Sequence, residues 1–346
     1  MRQRLLYIVN PISGGKNKLP VYRAIRRHTD ASRFDFSVCH TKAAGEAAIF
    51  ARKAVAEGYD IVVAVGGDGT INEVAREVIH SKTALGIIPC GSGNGLARHL
   101  QLPMSPEKAV RIINQAVIHH LDYGLINGQP FFCTCGVGFD AFISLKFAQS
   151  DKRGLQTYIE NVLSSGLNYK PDTYTIEDET GKVHHRAFLI ACANASQYGN
   201  NAYIAPQASM KDGLMDVIIM EPFSAIEAPR IALQLFNKTL PKNSHIKMFQ
   251  TRKVRITRSS DGPVHRDGDP STTGAEITVE LVHGEFPVVV NPNAKGRKRS
   301  FVQLVRDDIF ELWDWQQNTI RRSGKSVAKQ SRKLLQRIKV LPKGEE

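Results

Sequence analysis

The sequence predicts an α/β protein: an N-terminal open parallel α/β domain, a C-terminal, mainly antiparallel β-sandwich domain, and a helical basic tail. Three observations carry this expectation. Strand-like apolar runs and helical patterns alternate strictly up to about residue 120, as in a parallel sheet. After Asp122 short alternating segments separated by turn residues take over, as in a sandwich or flattened barrel. From Lys295 onward 14 Lys and Arg stand against 6 Asp and Glu, so +8 of the net +13 lies in the last 52 residues. The expected divisions are 1–125, 126–294 and 295–346.

Residues 5–9 read as a first strand that runs into Asn10-Pro11-Ile12-Ser13-Gly14-Gly15-Lys16, a glycine turn with a lysine available for phosphate. A helix around 20–28 and a strand over 34–40 follow. Thr41 then stands at the N-cap of an alanine-rich helix that reaches Ala56. The third strand, 60–65, is β-branched and reads as buried on both faces. It breaks into Gly66-Gly67-Asp68-Gly69-Thr70 and restarts with helix formers. Thr70 and Glu73 have the spacing of a capping box, which predicts a helix from Thr70. The fourth strand, 85–89, ends in Cys90-Gly91-Ser92-Gly93-Asn94-Gly95, and Ser105-Pro106-Glu107 opens the next helix by N-cap and proline-at-N1 chemistry. Farther on, strands are expected at 131–135, 174–177, 185–193, 214–220, 254–257, 277–282 and 286–291, with helices over 141–167 and 225–237.

Three of these four strands thus end in glycine turns at one sheet edge, their carboxyl ends, where ligands of open parallel sheets bind. A strand, a glycine turn and a helix N-terminus together favour phosphate through exposed N–H groups and the helix dipole. Glycine is needed where a Cβ would hold the backbone away from the ligand. Asp68 departs from a plain phosphate cradle. A carboxylate beside a phosphate is repulsive unless a cation lies between them, so the turn points to a nucleotide with Mg2+.

Composition narrows the classes. No run of about 18 apolar residues is present, so no transmembrane helix is expected. The first residues hold too short an apolar core for a signal peptide. The five cysteines are odd in number and scattered, as expected for reduced thiols in the cytoplasm. The adjacent pairs His119-His120 and His184-His185 would point to opposite faces of a strand, which argues against zinc.

The ordered set Asn10-Pro11-x-Ser13-Gly14, Gly66-Gly67-Asp68-Gly69-Thr70-x-Asn72-Glu73 and Pro89-x-Gly91-Ser92-Gly93-Asn94 continues with Gly136-x-Gly138-Phe139-Asp140, Ala205-Pro206, Asp212-Gly213-Leu214-Met215-Asp216 and Asp267-Gly268-Asp269. In this order it resembles the diacylglycerol-kinase catalytic-domain superfamily, with its bacterial diacylglycerol, sphingosine and ceramide kinases. The resemblance runs over about residues 4–292. It implies a first domain like that of NAD kinases and phosphofructokinases, and transfer of a phosphoryl group from ATP to a lipid alcohol.

By matching positions, the resemblance implies ATP contacts from Asn10, Pro11, Ser13, Gly14, Lys16, Thr41, Gly66, Gly67, Asp68, Gly69, Thr70, Asn72, Glu73, Gly91, Ser92 and Asn94. Asp68 would belong to the Mg2+ network. Asp269, with Asp267 before it, takes the place of the family's catalytic glutamate as base, and Asp140 would meet the acceptor's polar head. A structural Mg2+ would map to Ser209, Asp212 and Leu214. Two positions depart from the family: Asp269 is one methylene shorter than the glutamate, and Gly95 stands where many bacterial diacylglycerol kinases have aspartate.

In the tail, Phe301, Val305, Ile309, Leu312 and Trp313 fall on one helical stripe, and Val327, Leu334, Ile338 and Leu341 on another flanked by Lys and Arg. Such helices suit an anionic membrane surface, as expected of a peripherally associated cytoplasmic enzyme, or packing on the N-terminal domain or a second subunit as a homodimer. No aromatic-basic platform accompanies the charge, so nucleic acid is not expected. The competing readings are an NAD kinase-like enzyme, which would leave Pro89 to Asn94 and Asp267 to Asp269 unexplained, and a non-catalytic nucleotide- or lipid-binding homologue.

Overall fold

The computed structural model describes residues 2–15, 17–149, 165–166 and 169–294. Lys16, most of the expected helix over 141–167 and the whole basic tail lie outside the described residues.

The first four strands, β1 (Gln3–Val9), β2 (Phe34–His40), β3 (Ile61–Gly66) and β4 (Ala84–Pro89), pair in parallel in the order β2-β1-β3-β4. Every residue of β3 and β4 is buried, which fits their unbroken apolar sequences. The helices between and after them are α1 (Leu19–His28), α2 (Glu46–Ala56), α3 (Asp68–Val78), α4 (Gly95–His99) and α5 (Pro106–Gln115).

The chain continues through β5 (Ile118–Ile126), β6 (Gln129–Phe131), β7 (Thr134–Gly138), α6 (Phe139–Ala148), β8 (Asp172–Asp178), β9 (Gly181–Ala187), β10 (Leu189–Ala193), β11 (Met215–Met220), α7 (Ala228–Asn237), β12 (Ile246–Thr251), β13 (Lys253–Thr257), β14 (Gly262–Arg266), β15 (Asp269–Thr273) and β16 (Glu276–Val289). A six-stranded sheet, β12-β11-β10-β7-β14-β15, is antiparallel throughout. It faces the β16-β13-β8-β9 part of the other sheet across a shared core that includes Phe131, Val137, Tyr174, Ile190, Val217 and Val279. Parallel α/β sheet and antiparallel sandwich are both present, as the sequence predicts.

Several local expectations change. The two strands expected at 277–282 and 286–291 are one 14-residue strand, bent by an irregularity between Val282 and Phe286 where Gly284 takes φ +71. This strand pairs with β13 and β5, and its far end reaches β4 at Val288. The single strand expected over 185–193 is two, β9 and β10, lying in different sheets. α2 starts at Glu46 with Gly45 as N-cap, not at Thr41; the Thr41 N–H continues the sheet by donating to Val9 O at 3.0 Å. α3 begins at Asp68, two residues before the expected start, and Thr70 and Glu73 form no capping box.

Candidate active site

The three glycine turns meet backbone to backbone. Gly14, at φ +66, lies so close to the third turn that a Cβ would run into the Cys90 carbonyl oxygen. A Cβ on Gly91 would stand 2.6 Å from the Gly67 Cα. A Cβ on Gly66 would meet the Thr70 side chain at 2.6 Å. Only glycine lets three strand ends crowd together in this way. Gly69 differs: a Cβ there would have no protein atom within 4 Å, so its backbone faces open space.

Side chains lock the turns. The Asn10 amide donates to the Thr70 hydroxyl at 3.0 Å and its Oδ1 accepts the Ile12 N–H at 3.1 Å, while the Ser13 hydroxyl donates to the Asn10 carbonyl at 3.1 Å. Asn94, at φ +52, closes the third turn by accepting the Gly91 N–H at 2.9 Å and donating to the Gly91 carbonyl at 2.8 Å. Asp68 reaches across from the second turn and accepts the N–H groups of Asn94 at 2.8 Å and Gly95 at 2.7 Å. Those are free donors at the start of α4, which has no side-chain cap of its own. Glu73 likewise accepts the N–H groups of Gly45 at 3.0 Å and Ala47 at 3.1 Å, so it caps α2 rather than its own helix. Pro11 and Ser92 are exposed on the turns, Thr41 and Asn72 are buried, and the Asn72 Nδ2 has no hydrogen-bond partner.

The later half of the chain packs on the third turn. The Asn200 N–H donates to the Gly93 carbonyl at 3.1 Å, and His99 Nδ1 accepts the Ser196 N–H at 3.0 Å. Burial pushes the His99 pKa down to about 4. A Cβ on Gly95 would stand 3.3 Å from the Tyr198 carbonyl oxygen, a tight contact that leaves little room for a side chain.

The hairpin of β14 and β15 brings in the remaining carboxylates. Asp267, at φ +52, turns its carboxylate inward and accepts three N–H groups, from Phe132 at 2.8 Å, Cys133 at 2.7 Å and Thr134 at 3.0 Å. It braces the turn and leaves Asp269 as the exposed carboxylate. Desolvation by the surrounding protein raises the Asp269 pKa, Arg76 and Arg266 oppose the rise, and the charges of Asp68 and Glu73 add to it. Arg76 of α3 ties Asp269 to the helix that follows the second glycine turn, with Nη2 3.7 Å from its carboxylate. Asp140 is buried and accepts from Tyr198 Oη at 3.2 Å, and it pairs with His265 Nε2 at 3.0 Å. It does not face solvent. A Cβ on Gly136 would come within 2.6 Å of the Asp140 carboxylate, so glycine makes room for this pair.

Ser209, Asp212 and Leu214 sit on a separate turn, where the Asp212 carboxylate accepts the Leu214 N–H and the Ser209 hydroxyl the Lys211 N–H, both at 3.2 Å. Among the described residues no group of three His, Cys, Asp or Glu could hold a metal ion. Beside Asp212, Asp216 is buried with one carboxylate oxygen unpartnered, and its pKa is pushed up to about 6 by burial first and the Asp212 charge second.

The structure adds Lys18, whose buried ammonium donates to the Ser13 carbonyl at the first turn. Its signal in the sequence is a cation at a helix N-terminus, where the dipole disfavours one. Arg76 and Arg266 at Asp269 also escape sequence reading, since nothing in their spacing joins them.

Residues 4–126 match the family model described as the diacylglycerol kinase catalytic domain, and residues 134–290 match that of the YegS C-terminal NAD kinase beta sandwich-like domain. The chain belongs to the diacylglycerol kinase catalytic-domain family. This kinase is 26% identical over 273 residues to a diacylglycerol kinase of Bacillus subtilis (strain 168), across 78% of its own chain and 89% of that relative. It is 24% identical over 277 residues to a diacylglycerol kinase of Staphylococcus saprophyticus, across 78% and 90% of the two chains. Its fold is similar to the crystal structure of a diacylglycerol kinase from Bacillus anthracis (strain Sterne), with TM-score 0.65 and 22% identity over 84% of this chain and 97% of that one. Among the described residues no helix is long and apolar enough to cross a membrane.

Proposed function

We propose that this kinase transfers the γ-phosphoryl group of ATP, bound with Mg2+, to the hydroxyl of a lipid alcohol such as diacylglycerol, a sphingoid base or a ceramide. The observation that carries the reading is the meeting of three glycine turns at one sheet edge, with Asp269 joined through Arg76, at 3.7 Å, to the helix that follows the second turn.

The residues fit the nucleotide. Gly69 offers its backbone to a space free of protein at the start of α3, where N–H groups and the helix dipole favour phosphate. Asn10, Ser13, Gly14, Gly67, Thr70 and Ser92 would hold the nucleotide around it, and Lys18 adds a positive charge behind the first turn. They also fit a cation. Each Asp68 oxygen accepts one N–H and keeps a further lone pair for Mg2+, directly or through water. Bound Mg2+ and ATP supply the phosphoryl group and the neutralising charge that such a transfer needs. Asp269 takes the proton of the acceptor hydroxyl on a carboxylate oxygen, and Asp267 and His265 fix the hairpin that carries it. A second cation would sit at Asp212 with the carbonyls of Ser209 and Leu214; the unpartnered Asp216 oxygen beside it supports a cation there.

Labelled ATP offered with a panel of lipid alcohols, with and without Mg2+, tests this reading. Label in one lipid class that depends on Mg2+ is expected. Label in none of the lipids would refute it.

A further inference from the structure

Arg76 on α3 and Arg266 at the end of β14 converge on Asp269. Arg266 and Asp269 are directly opposite in the β14–β15 hairpin, so their side chains share a face. Arg76 reaches the same carboxylate from the parallel-sheet half of the chain, at 3.7 Å. The two guanidiniums are close enough that the charge of Arg76 lowers the pKa of Arg266, after the larger effect of burial. Two like charges placed together are unfavourable unless an anion lies between them.

Asp269 lies between the two cations, and the charge of Asp267 also acts on Arg266. Arg266 spends one nitrogen on the neutral Gln129 side chain, at 3.2 Å. The Nε atoms of both arginines are buried with no acceptor. Asp68 and Glu73 accept backbone N–H groups, and among the described residues neither forms an ion pair with Arg76 or Arg266. A planar guanidinium fork can hold two oxygens of a phosphate at once, a charged, bidentate match that a neutral ligand does not offer.

We propose that Arg76 and Arg266 form a binding site for a phosphate-type oxyanion directly beside Asp269. The proposal rests on the lipid-kinase reading for its place in the reaction, because it puts an anion next to the acceptor hydroxyl. Two sources share this chemistry: a phosphate in the headgroup of the acceptor lipid, and the phosphoryl group in transfer.

The test uses the full chain and its Arg76→Gln, Arg266→Gln and Arg266→Lys variants. Calorimetry with sn-glycerol 3-phosphate, a soluble phosphate monoester, reads the site without requiring turnover. Wild type is expected to bind, and each Gln variant to bind about ten-fold or more weakly, the loss that accompanies a missing charge-assisted contact. Arg266→Lys, which keeps the charge but not the fork, should fall between. Unchanged binding in both Gln variants, with wild-type thermal unfolding, would overturn the proposal. If Arg266→Gln unfolds, Arg266→Lys is compared in its place, and if Arg76→Gln unfolds, Arg76→Lys is; wild-type affinity in the Lys variant counts against the proposal.

Kinetics then separate the sources. Phosphatidylglycerol carries a hydroxyl and a phosphate diester in its head; diacylglycerol carries the hydroxyl alone. A rise in KM about ten-fold larger for phosphatidylglycerol than for diacylglycerol assigns the site to the headgroup. An equal fall in kcat with both acceptors assigns it to the transferring phosphoryl group. If no lipid is phosphorylated but the Gln variants lose glycerol 3-phosphate, the lipid-kinase reading fails and the anion site stands.

Discussion

Asp68 Oδ1 accepts the backbone N–H of Gly95 at 2.7 Å, so the carboxylate of the second glycine turn caps the helix that follows the third. One residue thereby joins two turns and fixes the edge on which a nucleotide would rest. Its second oxygen does the same for Asn94.

Asp68→Ala is expected to abolish phosphorylation of every lipid tested and to cost about 1–2 kcal/mol of stability, the worth of a helix cap. Asp68→Asn keeps one acceptor oxygen and should recover part of that stability but none of the activity. Urea unfolding beside a transfer assay separates the two effects. Near wild-type turnover in either variant would remove Asp68 from the cation site.

Gly69 and Gly91 should respond differently to alanine. The Gly91 Cβ would press on the Gly67 backbone at 2.6 Å, so Gly91→Ala is expected to destabilise the fold by about 1–3 kcal/mol through overpacking. At Gly69, in the first turn of α3, alanine meets nothing and should stabilise the fold by roughly 0.5–1 kcal/mol. The methyl group would nevertheless enter the space assigned to phosphate. Gly69→Ala should therefore melt higher than wild type and bind ATP more weakly, which thermal unfolding with and without ATP reads directly.

His99 makes the joint between the third turn and residue 196 sensitive to acid. Its pKa falls from 6.5 to about 4 on folding because burial disfavours the charged ring. The stability contributed by keeping this ring neutral is complete above pH 6.5 and is lost as the pH falls through 4. The full effect is on the order of 3 kcal/mol. His99→Asn has no such proton to take up. Its stability deficit against wild type, measured by urea unfolding, should shrink between pH 6.5 and 4, and a constant deficit would show that the ring does not titrate there.

The sequence makes the sheet and its glycine turns legible because both are local: apolar runs give the strands, and glycine beside a helix start gives the turns. The reach of side chains across the fold is not local. Glu73 has the spacing to cap its own helix yet caps α2, because the N–H groups of Gly45 and Ala47 at the start of α2 lie beside it. Asp267 and Asp269 are two residues apart, and only the positive φ of Asp267 reveals that one points inward and the other outward. The end of β9 and the apolar β10 read as one strand because only Phe188 lies between them, and the packing of two sheets separates them there. Arg76 and Arg266 are 190 positions apart, and no periodicity connects them.

The central claim is that Asp269 serves as the base for a lipid hydroxyl. The most direct test compares wild type with Asp269→Asn for transfer of label from ATP to whichever lipid the panel identifies, at saturating nucleotide. Removal of a general base predicts a fall in kcat of about 10²–10⁴-fold in protein that thermal unfolding shows to be folded. A kcat within about two-fold of wild type, far smaller than that loss, would contradict the assignment.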